Sequence, residues 1–199
     1  SQRTTMVASQ EAAVPAPRPA RPKRCPEERV LTSASFMDFI ERLKNSTLDC
    51  DAGGKVLRLK RFITATAGPN VINAVLEALK TNTKVEALYI QNFEDGFFDE
   101  QLEKLIEVLR LKRIWCLNVG ENFRTTMDGW RRFASDLEHT AVSHMYASEH
   151  HFMGTDLKNQ MRDTIRETRQ ANIIPHSLEV IMACGNMWFN PKLPAWAKE

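Results

Sequence analysis

At 199 residues the chain is long enough for one domain and a terminal extension. Its 43% hydrophobic and 26% charged residues are ordinary for a globular protein, and a formal net charge of +2 compels neither a nucleic-acid nor a membrane partner. There is no apolar run of about 18 residues, which argues against a transmembrane helix and leaves at most peripheral membrane association.

Cysteine usage points to a reducing compartment. The four cysteines form no CxxC pair and suggest no disulfide framework. We therefore expect an intracellular protein, cytoplasmic by default. An organelle stays open if the N-terminus is the remainder of a targeting segment.

Residues 1–31 differ in composition from the rest and predict an extended or disordered arm. The first 30 residues hold five of the nine prolines, six basic and three acidic side chains, and no aromatic residue. Such a segment buries too little apolar surface to offset the entropy of ordering. We expect it to bind an acidic partner surface or, alternatively, nucleic acid. Its candidate contacts are Arg18, Arg21, Lys23 and Arg24.

A cap helix is predicted over residues 32–47. Phe36, Phe39, Ile40 and Leu43 lie at helical spacing and form one apolar stripe. Ser33 or Ser35 can cap its start.

The strongest pattern is a repeat over residues 56–170. An apolar residue leads each unit and another follows three positions later, with spacings of 29, 29 and 28 residues between units. This spacing is typical of a leucine-rich-repeat strand. An amphipathic helix pattern returns in phase with each strand, so stacked units can bury a shared core. The leading pairs are Val56 and Leu59, Val85 and Leu88, Ile114 and Leu117, and Val142 and Met145.

Residues 171–199 depart from this period. Pro175 indicates a loop, and Leu178, Ile181 and Ala183 predict a fifth, capping strand. The aromatic residues that follow, including Trp188 and Trp196, are expected to cover the last coil or, alternatively, to form a docking patch.

The repeats resemble ribonuclease-inhibitor-like or tropomodulin-like leucine-rich repeats. The stretch that carries the resemblance best is NAVLEALKTNTKVEALYIQNF, residues 73–93. The resemblance implies an α/β solenoid with parallel strands on the concave side and helices on the convex side. It also implies an interaction module, because most members of the family bind other proteins. On this interpretation residues 32–199 form one repeat domain with a helical N-terminal cap and an aromatic C-terminal cap.

No catalytic motif or cofactor fingerprint occurs, so we predict no enzyme and no cofactor. The alternative to a non-enzymatic protein is a metal-dependent enzyme that uses the histidines between His139 and His151. Their spacing matches no zinc motif, and we predict no metal site.

We expect a non-enzymatic accessory or scaffold subunit that binds a larger complex through its concave strand face and its arm. In a repeat strand, alternate side chains point away from the core. Tyr and Trp among them are the side chains most enriched at binding hot spots. The alternative is that these residues pack on one another or under the chain's own tail. The candidate contacts are Lys60, Tyr89, Trp115, Asn118, His144, Tyr146 and Met182.

Overall fold

A computed structural model describes residues 27–147, 154–171 and 177–184. Four short parallel strands form one sheet in the order β1-β2-β3-β4. In the described part of the chain the strands are β1 Val56–Arg58, β2 Ala87–Tyr89, β3 Cys116–Asn118 and β4 His144–Tyr146. The helices are α1 Glu27–Leu31, α2 Ala34–Lys44, the short turn α3 Asp51–Gly54, α4 Pro69–Thr81, α5 Asp99–Leu109, α6 Met127–Asp136, α7 Thr155–Ala171 and α8 Leu178–Cys184.

The main core lies between one face of the sheet and the row α4–α7. The middle residue of each strand points into it, and all four are fully buried: Leu57, Leu88, Leu117 and Met145. These residues are aligned by the strand pairing. The predicted helical stripes supply the opposite side of the core, for example Val75 and Leu76 of α4. The architecture is therefore an α/β leucine-rich-repeat solenoid, as the sequence predicts.

One asparagine closes the coil after β3. Asn122 is fully buried and donates its amide hydrogens to the carbonyl oxygens of Ile90 (2.8 Å) and Val119 (3.0 Å). Its carbonyl oxygen accepts from the backbone N–H of Phe93 at 2.9 Å. These bonds satisfy backbone groups that the turn would otherwise leave unpaired.

The cap helix forms at its predicted place. Helix α2 begins after Ser33, whose hydroxyl oxygen accepts from the backbone N–H of Phe36 at 3.3 Å. Phe36, Phe39 and Leu43 are buried, and α2 packs on α4. The cap is joined to the first repeat by Asn82, which donates to the Leu43 carbonyl oxygen at 2.7 Å.

The prediction placed residues 27–31 in the extended arm, but Glu27–Leu31 is a helix, which corrects that boundary. The Glu27 carboxylate accepts from the backbone N–H of Val71 (3.0 Å) and from Asn70 (3.0 Å), so it caps the first turn of α4. Arg18, Arg21, Lys23 and Arg24 lie outside the described residues.

The predicted register of the first unit is wrong by two residues. Val56 pairs with Ala87, and Arg58 pairs with Tyr89, so Leu57 and not Leu59 is the counterpart of Leu88. The physical reason is the length of α4, which has 13 residues where α5 has 11. Lys60 therefore lies in a 3-10 turn, Leu59–Arg61, after the strand.

The predicted fifth strand is also wrong, because Leu178–Cys184 is the helix α8. Only Val180 of this helix is fully buried, whereas Leu178 and Met182 are exposed. The aromatic tail after Cys184 lies outside the described residues. Among those described, no helix is long and apolar enough to cross a membrane.

Candidate functional site

The candidate site is the face of the sheet that points away from α4–α7, which we call the strand face. Two rows of side chains form it, one on each side of the buried middle residues. The first row is Val56, Ala87, Cys116 and His144, and the second is Arg58, Tyr89, Asn118 and Tyr146.

Helix α8 covers part of the strand face. Val180 is fully buried in a second apolar cluster, which includes Ala87, Tyr89, Trp115 and Cys116. The cluster is separate from the main core, so the sheet is covered on both sides here. The sequence left two alternatives open for these residues, contact with a partner or packing under the chain's own tail. The described part of the tail, α8, does pack over Tyr89 and Trp115.

Two donors of the strand face hold the C-terminal end of α8. The Tyr89 hydroxyl donates to the carbonyl oxygen of Cys184 at 3.2 Å, and the Arg58 guanidinium donates to that of Ala183 at 2.7 Å. The guanidinium also lies 4.0 Å above the centre of the Tyr89 ring. Carbonyl groups at a helix C-terminus have no intrahelical partner and carry partial negative charge, so a cation suits this place.

A polar cluster holds the other end of α8. The Ser177 hydroxyl lies 2.8 Å and 2.9 Å from the two carboxylate oxygens of Glu86, to which it donates. Lys55 donates to the Ser177 hydroxyl at 2.9 Å and lies 3.5 Å from Glu179. The Trp115 indole N–H donates to Glu86 at 2.9 Å, so the Glu86 carboxylate links strand face and helix.

Two cysteines, Cys116 and Cys184, belong to the apolar cluster between α8 and the strand face. Cys116 is fully buried on β3, and Cys184 is half-buried as the last residue of α8. Hydrogen bonding to Cys116 is the largest influence that holds the pKa of Cys184 below its usual range, at about 7, and Tyr89 and Arg58 act in the same direction. The same bond, together with burial, raises the pKa of Cys116.

The predicted contact residues divide into covered and exposed ones. Tyr89, Trp115, Asn118 and His144 are between 2% and 9% exposed. Tyr146 is half-buried at the β4 edge. Lys60 is exposed but stands apart from the row that contains Tyr89, and its predicted place there is taken by Arg58. Met182 is 77% exposed, on α8 and not on a strand.

The two histidines in the described part of this segment, His139 and His144, lie in different surroundings. His139 is exposed beside Glu138 at 3.4 Å, whereas His144 is buried against the Trp115 ring, with 5.3 Å between ring centres. His150 and His151 lie outside the described residues. Within the part of the chain that the structure describes, no three His, Cys, Asp or Glu side chains group so as to hold a metal ion.

Sequence reasoning named Tyr89 and Trp115 on the strand face but missed the other residues that hold α8. Arg58, Glu86 and Cys116 follow from the alternation of the strands once the register is known, but their partners Ser177, Val180 and Cys184 do not. The one signal for a helix there was that Ser177, Val180, Ile181 and Cys184 share a helical face.

No family model matches the chain, and no curated protein matches it. Solved structures do match. One is titled Leiomodin-1 Actin-Binding Site 2, with 19% identity and a TM-score of 0.53, covering 68% of this chain and 75% of that one. Another is a tropomodulin C-terminal domain from Caenorhabditis elegans structural genomics, with 20% identity, a TM-score of 0.48, and coverage of 67% and 77%. The leiomodin likeness shows a shared fold.

Proposed function

We propose that this chain is a non-enzymatic protein-interaction module, an accessory or scaffold subunit that binds its partner through the strand face. The observation that carries the proposal is the seat of α8. The strand face holds a helix by burying one side chain, Val180, and by donating to the carbonyl groups of Ala183 and Cys184. A surface that holds a helix of its own chain in this way has the chemistry to hold a helix of another.

The partner that fits is an amphipathic helix. Its apolar side would meet the cluster around Trp115 and Cys116, and its last carbonyl groups would meet Arg58 and Tyr89. Because α8 occupies this place in the described state, such a partner competes with α8. Of the exposed or half-buried candidates, Lys60 and Tyr146 then provide contacts at the margin, whereas Met182 leaves with α8.

The N-terminal arm supplies a second contact in this proposal. Arg18, Arg21, Lys23 and Arg24 are basic, and a partner with an acidic surface would attract them. Two linked contacts raise the overall affinity for the partner, although neither contact by itself becomes stronger. The alternative that the arm binds nucleic acid predicts an affinity that falls steeply as salt concentration rises, and a salt-insensitive interaction would argue against it.

Tyr146 offers the test that disturbs α8 least. We expect Tyr146→Ala to lower partner recovery in a native pull-down by about tenfold, the loss typical of an aromatic hot spot. Arg131→Ala is the matched control, because Arg131 is exposed on α6, on the opposite side of the sheet. Equal recovery with Tyr146→Ala and the wild type would contradict the proposal, as would an equal loss with both variants.

Actin is the first defined partner to test, because the similar leiomodin-1 structure is titled an actin-binding site. Co-sedimentation of the full chain with filamentous actin, with and without Tyr146→Ala, gives the result. Binding that the substitution weakens supports actin as the partner. Sedimentation equal to that of the chain alone removes actin and leaves the pull-down to identify another protein.

A further inference from the structure

The C-terminal end of α8 meets two hydrogen-bond donors of the strand face. The Arg58 guanidinium lies 2.7 Å from the carbonyl oxygen of Ala183, and the Tyr89 hydroxyl lies 3.2 Å from that of Cys184. Arg58 and Tyr89 pair in register on the neighbouring strands β1 and β2. The two donors therefore have a fixed place on the sheet, and they contact the last turn of any helix that lies where α8 lies.

These donors belong to a basic corner, which we define as Arg58, Tyr89, Lys60 and Arg61. The three basic residues lie at the end of β1 and in the turn that follows it. The Asp51 carboxylate accepts hydrogen bonds from both Arg58 and Arg61, so two guanidinium groups share one negative charge. Helix α8 brings carbonyl dipoles and no charge to this place, because its last residue is followed by a neutral amide. Counted over these described residues, the basic corner keeps a net positive charge while α8 is in place.

We propose that the partner of the strand face is a helix that ends its chain, with its free C-terminal carboxylate against Arg58 and Tyr89. This inference rests on the proposed function, since it names the chemistry of the helix that replaces α8. One carboxylate oxygen takes the place of the Cys184 carbonyl oxygen beside the Tyr89 hydroxyl. The carboxylate as a whole adds the negative charge that the amide of α8 lacks.

The added charge explains how a separate chain displaces α8. Helix α8 is tethered to the strand face by its own chain, so a partner with identical contacts competes against a high effective concentration. The C-terminal end of a helix acts as about half a negative charge, and a terminal carboxylate adds about one more. Guanidinium also suits a carboxylate, because its N–H groups form a planar fork. The partner therefore has a stronger contact at the basic corner than α8 has.

Arg58 is already held in position for such a carboxylate. Its guanidinium lies 4.0 Å above the centre of the Tyr89 ring, and its Nε donates to Asp51 at 3.2 Å. Its side chain nevertheless stays 30% exposed with α8 in place. A carboxylate thus meets a guanidinium whose position is fixed by its neighbours, which reduces the entropy lost on binding.

The test uses two stapled peptides of residues 177–184 that differ only at the C-terminus, one ending in a free carboxylate and the other in an amide. The staple joins positions 178 and 182, because Leu178 and Met182 are the exposed side chains of α8. Cys184→Ser in both peptides removes the thiol. Each peptide carries fluorescein at its N-terminus and is titrated, by fluorescence polarisation, with the full chain carrying Val180→Asp. In that variant the chain's own helix is expected to leave the strand face, because Val180 is fully buried there.

We expect the peptide with the free carboxylate to bind about tenfold more tightly than the amide. Arg58→Gln in the same background should bring the two affinities within about twofold of each other. Arg131→Gln is the matched control, since it removes an exposed arginine of α6 and should keep the tenfold ratio.

The outcomes separate this inference from the proposed function. Equal affinities of the two peptides for the Val180→Asp chain overturn the inference, while the proposed function stands because the strand face still binds a helix. Binding of neither peptide overturns both. The comparison of the two peptides needs no variant of Arg58, so it is decisive even if Arg58→Gln fails to fold.

Discussion

An Asn122→Ala variant is expected to lose about 4 kcal/mol of unfolding free energy, because three buried backbone groups lose their partner at once. The carbonyl oxygens of Ile90 and Val119 and the N–H of Phe93 all bond to this one side chain, at 2.8 to 3.0 Å. Asn122 is fully buried. Water can therefore replace the lost hydrogen bonds only if the coil opens.

Urea denaturation measures the loss. The midpoint should fall while the slope of the unfolding free energy against urea stays the same. Asn45→Ala is the control, since Asn45 also donates through its side chain, at 2.7 Å to Glu41, but is exposed. We expect it to change stability by no more than about 0.5 kcal/mol. A loss below about 1 kcal/mol for Asn122→Ala would show that the turn does not depend on these bonds.

Val180→Asp is expected to release α8 from the strand face. Val180 is fully buried among apolar side chains, and an unpaired carboxylate there costs several kcal/mol. The seven-residue helix has no other fully buried side chain with which to resist this cost. A change of about 3 kcal/mol raises the population of the released state about 100-fold.

Alkylation of Cys116 reports the release, because α8 lies against this thiol in the described state. Under reducing conditions, the rate at which Cys116 is alkylated should rise by about 100-fold in Val180→Asp. Met182→Asp is a matched control: it adds the same charge to the same helix at a side chain that is 77% exposed. Its rate should equal that of the wild type. If both variants or neither change the rate, Val180 does not hold the helix.

The repeat units after the first were predictable because two periods agree there. The strand spacing that puts Leu88, Leu117 and Met145 in the core is locked to the spacing of the helical stripes. Each pattern constrains the other, so chance spacing cannot satisfy both. The same constraint placed the cap helix, where an apolar stripe and Ser33 coincide.

The first unit shows why register needs more than apolar spacing. Both Leu57 and Leu59 are fully buried, so either fits the core position of β1. The two extra residues of α4 decide between them. The sign of this in the sequence is the charged Arg61, which lies five residues after Val56, where the next two units have the apolar Ile90 and Val119. The shift by two residues kept the face but exchanged the neighbour of Tyr89 from Lys60 to Arg58.

The seven residues of α8 do not by themselves predict a helix. A short apolar run fits a buried strand and a half-buried helix equally well. The contacts that decide its conformation come from elsewhere in the chain, namely Arg58, Glu86 and Tyr89.

The most direct test of competition between α8 and a partner is recovery of that partner by wild type, Val180→Asp and Met182→Asp in parallel. Recovery should rise about tenfold or more with Val180→Asp, because the strand face is then open, and stay at the wild-type level with Met182→Asp. Unchanged or lower recovery with a folded Val180→Asp variant would contradict the claim that the partner binds where α8 lies.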